Sequence, residues 1–98
     1  RPATPLRGVY TVEVFGLEGE PVVGVANIGI RPTVQASRPL LEVHLLDFAG
    51  DIYGRYVEVG FLKFLRPEQR FGDLNELKAQ IGRDVLAARA FFGYRRAN

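Results

Sequence analysis

The chain has 98 residues, of which 47% are hydrophobic, 24% charged and 11% aromatic. That is one domain's length against a usual domain of about 100–150 residues, and too apolar for a chain held open by its charge. Thirteen Lys and Arg against eleven Asp and Glu leave a net charge of +2, so no basic stripe for nucleic acid is indicated. There is no Cys and one His, which excludes disulfides, thiolate metal sites and multi-His metal centres.

No apolar run nears the roughly 20 residues of a transmembrane helix, and the opening Arg1–Pro5 has no apolar stretch of a signal peptide behind it. Neither a membrane nor a nucleic-acid partner is expected. The lack of Cys fits a reducing compartment, and a cytoplasmic location is expected. There is no Met, so a chain that opens on Arg1 is expected to be a fragment or a trimmed product of something longer. Eleven of the thirteen cations are Arg, whose planar fork suits phosphate and carboxylate; a bias toward Arg codons explains them equally well. Only Arg95 and Arg96 sit side by side.

The chain divides into a strand-rich portion, up to about Leu65, and a helical tail. Gly8 to Phe15, GVYTVEVF, is β-branched and aromatic and predicts a strand. Glu18-Gly19 reads as a hairpin tip. Pro21 to Ile28 is the returning strand, in which Gly24 marks a bulge or the close approach of another backbone. Gly29 to Pro39 reads as a long loop with two prolines. Leu40 to Phe48 is a third strand, Ala49-Gly50-Asp51 a turn, and Arg55 to Leu65 a fourth strand. Arg66 to Gly72 is a loop, since Pro67 has no N–H to give to a central strand.

The period then changes. Leu74, Leu77, Ile81, Val85, Ala88 and Phe92 recur at steps of three and four and make one face of a helix. Asp73 is a candidate N-cap, with Glu76 three residues on as its capping-box partner. Gly82 weakens the middle by roughly 1 kcal/mol against Ala, and Gly93 is a candidate stop. A mainly β fold follows: a small antiparallel barrel or sandwich with a C-terminal helix over its open end. Four strands seldom close a barrel, so an additional strand upstream is expected.

The strand LLEVHLLDF carries the most chemistry. At a period of two, Glu42, His44, Leu46 and Phe48 share one face, and Leu41, Val43, Leu45 and Asp47 the other. A carboxylate set among apolar side chains has a raised pKa and can accept a proton; Glu42 and His44 pointing into solvent is the alternative, and the commoner arrangement for charged residues. The segment GVANIGIRPT brings Asn27, Gly29, Arg31 and Thr33 together, either as hydrogen-bonding groups for a ligand or as turn chemistry. The loop Arg66-Pro67-Glu68-Gln69-Arg70-Phe71 has the groups to bracket a flat polar ring, with Phe71 stacking and Gln69 hydrogen-bonding, or Phe71 staples the helix to the sheet.

Five ordered blocks, GVYTVEV, GVANIGIRPTV, LEVHLLDFAGDIYG, VEVGFLKFLRPEQRF and DLNELKAQIGRDVLAAR, resemble the riboflavin kinase module. They lie closest to the C-terminal half of bacterial bifunctional riboflavin kinase/FAD synthetase, over Pro5 to about Arg89. The resemblance implies a six-stranded Greek-key β-barrel with a C-terminal helix, one domain over 1–98. It implies transfer of the ATP γ-phosphoryl group to the ribityl 5′-hydroxyl of riboflavin, giving FMN and ADP, with Mg²⁺ on the nucleotide. A nucleotidyltransferase (FMN adenylyltransferase) domain is implied in the rest of the parent chain.

By the same resemblance Glu42, in the family's E-x-H strand, is the catalytic base. Leu45, Asp47 and Tyr53 lie near ATP, and Arg66, Gln69 and Phe71 contact the flavin. The family's Gly-x-Pro-Thr-Ala-Asn signature, whose Thr and Asn hold the metal–nucleotide and the substrate, is absent from these 98 residues. No residue of the chain is therefore expected to bind the metal, the first strand is expected to be missing, and the chain alone is expected to have little or no kinase activity. The alternative is a non-catalytic barrel that binds flavin or an oligonucleotide; near-neutral charge and Glu13, Glu18, Glu20, Asp47, Asp51 and Glu58 disfavour the oligonucleotide.

Overall fold

A computed structural model describes residues 6–97, with side chains as far as Gly93; the Arg1–Pro5 opening and the Arg95–Arg96 side chains lie outside them. Four strands, β1 (Gly8–Phe15), β2 (Val22–Pro32), β3 (Ser37–Leu45) and β4 (Glu58–Arg66), precede one helix, α1 (Leu74–Ala97). They form one sheet in the order β3-β2-β1-β4 with every neighbour antiparallel. A meander of three strands with the fourth returning beside the first is the Greek-key order. The described residues supply four of the six strands implied by the resemblance, and the sheet is open, with β3 and β4 as its edges.

β1 occupies the predicted residues. The loop expected over Gly29 to Pro39 is instead mostly sheet: β2 runs on to Pro32 and β3 begins at Ser37. Only four residues turn the hairpin, closed by Thr33, whose N–H donates to the Ala36 carbonyl at 2.6 Å while its Oγ1 accepts from the Ala36 N–H at 3.0 Å. Pro39 is tolerated because β3 is an edge strand, where a missing donor disturbs no ladder on the outer side. β3 ends at Leu45 rather than Phe48, because Asp47 turns the chain with a φ of 52°. β4 starts at Glu58, not Arg55; the stretch before it holds an Asx-type turn in which the Tyr53 N–H donates to Asp51 Oδ1 at 2.9 Å.

Gly24 lies in regular register on both sides. It is a point of close approach, since a Cβ there would lie 2.5 Å from the His44 carbonyl oxygen. The irregularities fall between β1 and β4, where the register shifts at Val9/Tyr10 and at Thr11/Val12 and leaves Leu65 and Leu62 with no residue opposite. Thr11 is fully buried beside the second shift, and its Oγ1 accepts the Lys63 N–H at 3.0 Å, so a part-buried donor at the bulge is satisfied by a side chain.

α1 starts as predicted. Asp73 Oδ1 accepts the Glu76 N–H at 2.8 Å, and Glu76 reaches back to the Gly72 N–H at 3.3 Å. Gly93 does not end it; the helix passes through to Ala97 because Gly93 stays out of the left-handed conformation a glycine stop requires. Ala88 and Phe92 face the sheet and pack with Val9, Val25 and Leu46, with Val85 and Phe91 alongside. Val12, Val14 and Ala26 make a second cluster, with Tyr10, Leu45 and Phe61 packed on it. Burying each Val, Leu or Phe is worth about 1.5–3 kcal/mol. Leu74 and Ile81 of the predicted face are exposed, and Asp84 is buried in their stead.

Candidate active site

A cleft of about 460 Å³ lies between the sheet and the start of α1, within the roughly 300–1,000 Å³ range of small-molecule sites. Its floor follows from strand register. Arg66 of β4 pairs with Val9, Val9 of β1 with Asn27, and Asn27 of β2 with Glu42 of β3. Residues directly opposite in adjacent strands project to the same face. One row across all four strands therefore presents a guanidinium, an isopropyl group, a carboxamide and a carboxylate, and all four residues line the cleft. Val25 and His44 form the next pair along, and Arg31 lies beyond Asn27 on β2. The opposite wall is Leu77, Ile81, Asp84 and Val85 of α1, and the loop after β4 adds Gln69 and Phe71.

Two ion pairs set the electrostatics. At the inner end, Arg66 Nε and Nη2 donate to Asp84 Oδ1 and Oδ2, both at 2.8 Å, and Gln80 adds a third bond to Oδ1 at 3.0 Å. The side chains are 18% and 9% exposed. Burial pushes the Asp84 carboxyl up; the hydrogen bonds from Arg66 and Gln80, with the charges of Arg66 and Arg83, outweigh it and hold the group below its usual value. The Arg66 guanidinium also stands 6.0 Å from the centre of the Phe71 ring, at the outer limit of a cation–π contact of about 6 Å. At the mouth, Arg31 donates to Glu42 Oε1 at 3.2 Å, with the Glu42 side chain 57% exposed.

Glu42 thus has both properties that the sequence set against each other. It faces the cleft, and of the two arrangements open to it the fold builds the commoner one, a solvent-exposed carboxylate rather than one set among apolar groups. Glu42, Arg66, Gln69 and Phe71, from two separate segments, come together in one cavity. Leu45, Asp47 and Tyr53 do not join them. Leu45 packs on the second hydrophobic cluster. Asp47 is held by Arg89 of α1 through two bonds of 2.7 and 3.0 Å, and that hydrogen-bonded pairing and the Arg89 charge keep its carboxyl below the ordinary value. Tyr53 is 96% exposed on its turn.

Asp84 was missed as a site residue. The signal was available: an acid between Ile81 and Val85 on the buried stripe of a helix must find a partner. Of the GVANIGIRPT groups, Thr33 does turn work, Arg31 and Asn27 line the cleft, and Gly29 leaves room for the Glu68 carboxylate above it. Glu68 in turn pairs with Arg7 at 3.4 Å and draws the post-β4 loop over the sheet.

Comparison with known proteins agrees with this architecture. The chain is 60% identical over 93 residues to the bifunctional riboflavin kinase/FMN adenylyltransferase of Escherichia coli (strain K12), covering 95% of this chain and 30% of that protein. It is 55% identical over 91 residues to the protein of the same description from Pseudomonas fluorescens, covering 92% and 29%. The chain thus spans under a third of the curated relatives it matches. A crystal structure titled as a macrolide-efflux protein from Streptococcus pneumoniae superposes with a TM-score of 0.79 at 30% identity, over 89% of this chain and 28% of that one. Among the described residues no helix is long and apolar enough to cross a membrane. The family model described as "Flavokinase: Riboflavin kinase" matches residues 1–92, nearly the full length, and the chain belongs to the riboflavin kinase family.

Proposed function

We propose that this chain is the kinase module, over residues 1–98, of a bifunctional enzyme that moves the γ-phosphoryl group of ATP to the ribityl 5′-hydroxyl of riboflavin, the rest of the parent chain then adenylylating FMN to FAD. The observation that carries the reading is the convergence of Glu42, Arg66, Gln69 and Phe71 on one cleft of suitable volume. Phe71 and the apolar helix wall offer a surface for the flat ring system, and Gln69 offers amide groups for its polar edge. The ribityl chain then runs along the row of strand residues toward Glu42.

In the transfer, the 5′-oxygen attacks the γ-phosphorus and the bond to the β–γ bridging oxygen breaks, its electron pair leaving with ADP. The hydroxyl proton passes to the Glu42 carboxylate, which must stand about 3 Å from that oxygen. An exposed carboxylate at the mouth of the cleft can return this proton to water after each turnover. Arg31, already bonded to Glu42, is the cation best placed to meet incoming phosphate charge. Leu45, Asp47 and Tyr53 are proposed for the nucleotide side, outside the cleft. Mg²⁺, when bound, neutralises charge on the nucleotide phosphates. Among the described residues no group of three or more His, Cys, Asp or Glu could hold a metal ion; no residue here is assigned to Mg²⁺. The near-neutral charge supports a small-molecule site over a nucleic-acid or membrane partner, and a cytoplasmic setting follows from the proposed substrates.

The test has two parts. Riboflavin titrated with the bifunctional protein should lose fluorescence as the ring enters the cleft, and no quenching would remove the flavin. In the bifunctional protein, Glu42→Gln should lower kcat by about 10²–10⁴-fold, the usual worth of a general base, with riboflavin binding unchanged. Full turnover in Glu42→Gln would remove the base.

A further inference from the structure

Among the described residues, one buried side-chain polar atom is left without a hydrogen-bond partner: Asn27 Oδ1. Asn27 sits in the row that crosses the cleft floor, directly opposite Glu42 on β3 and beside Val9 on β1. A buried carboxamide oxygen with no donor is a standing cost, and native proteins keep few of them without a reason. Val, Ile or Leu would suit this strand position as well as its neighbours Val9 and Val25 do. Water does not reach the oxygen in its present rotamer, so solvent does not satisfy it. Asn27 lines the cavity, and the terminal torsion of Asn is broad, so rotation about χ2 is the movement that would present the oxygen to a ligand there.

Resting on the riboflavin reading above, we propose that Asn27 is a specificity-determining residue, whose carboxamide oxygen accepts a hydrogen bond from a hydroxyl of the ligand's polyol chain. The hydroxyl concerned is one next to the reacting 5′-hydroxyl, since Asn27 and Glu42 are paired across the strands with Cβ atoms about 5 Å apart in such a pair. The site distinguishes a ribityl-bearing flavin from the bare ring system. It does so by leaving its own acceptor unpaired when the polyol is absent, the arrangement that discriminates most strongly against a ligand lacking a hydroxyl.

Asn27→Leu keeps the branched heavy-atom skeleton, with more bulk, and removes both donor and acceptor. Riboflavin and lumiflavin, the same ring without the polyol, are titrated against the wild-type bifunctional protein and the variant by fluorescence, and the ligand-free melting temperature is recorded for each. The expected result is a roughly tenfold loss for riboflavin, little change for lumiflavin, and a melting temperature a few degrees higher, because an unsatisfied acceptor has been replaced by apolar surface. Asn27→Val, β-branched and suited to a strand, repeats the test if Leu is not accommodated. Unchanged riboflavin affinity, equal losses for both flavins, or a lower melting temperature in both variants would each overturn the proposal. Wild-type bifunctional protein that binds neither flavin would instead overturn the flavin reading itself, and this inference with it.

Discussion

Replacing Asp84 by Asn keeps the side-chain size and removes the charge facing Arg66. Two bonds of 2.8 Å and a third from Gln80 are weakened at once, and a guanidinium only 18% exposed is left without its counter-ion. Exposed pairs are worth about 0–1 kcal/mol and fully buried ones cost about 3–5 kcal/mol when one partner is removed. Arg66 keeps some access to water, so about 2–3 kcal/mol is expected. That is a large share of the roughly 5–15 kcal/mol available to a domain of this size. At about 4–8 °C per kcal/mol, the melting temperature should fall by about 10–20 °C. Chemical denaturation followed by circular dichroism measures it. The loss should depend on pH in a defined direction. The folded-state pKa of Asp84 lies below the ordinary 3.8, so its contribution is fully present above about pH 5 and disappears as pH falls through the folded value. The gap between wild type and Asp84→Asn should therefore close in acid. An Asp84→Leu/Arg66→Met double variant should recover most of the stability. A loss under about 1 kcal/mol, or a gap that does not change with pH, would refute the claim that this pair is desolvated.

Three further outcomes are expected. Thr11→Val leaves the part-buried Lys63 N–H unpaired at the bulge and should cost about 1–3 kcal/mol in chemical denaturation, where a simple isosteric swap would cost little. Gly24→Ala drives a methyl against the His44 carbonyl oxygen and forces β2 and β3 apart; a clear drop in melting temperature and loss of flavin quenching should follow together. Arg89→Gln breaks two short bonds to Asp47, yet both partners are exposed, so the melting temperature should scarcely move and its sensitivity to added salt should shrink.

The strands were legible where one face is apolar. β1 could be read residue for residue because its alternation of small, β-branched and aromatic side chains fits buried sheet and nothing else. The β2–β3 hairpin was obscured by Pro32, Pro39 and a run of polar residues, since β3 is an edge strand with almost no covered face and so has no apolar pattern to show. The helix start could be read from Asp73 and Glu76, while its end could not, because Gly93 signals a stop only if the backbone takes the left-handed turn. The site residues could be found one by one but not as a set. Glu42 and Arg66 become neighbours in a row only through pairings between residues more than ten positions apart. The partner that fixes Arg66, Asp84, sits on an element whose docking no local pattern specifies.

The two irregularities between β1 and β4 have a consequence for how far this segment can change in length. One extra residue in a strand turns all that follows to the opposite side of the sheet; a second one turns it back. Leu62 and Leu65 are such a couple, and through them Arg66, rather than Phe64, arrives next to Val9. Shortening β4 by a single position between Phe61 and Arg66 would rotate the arginine away from the ligand, whereas removing both supernumerary leucines would bring it back to the same place. Related sequences should accordingly vary here by even steps.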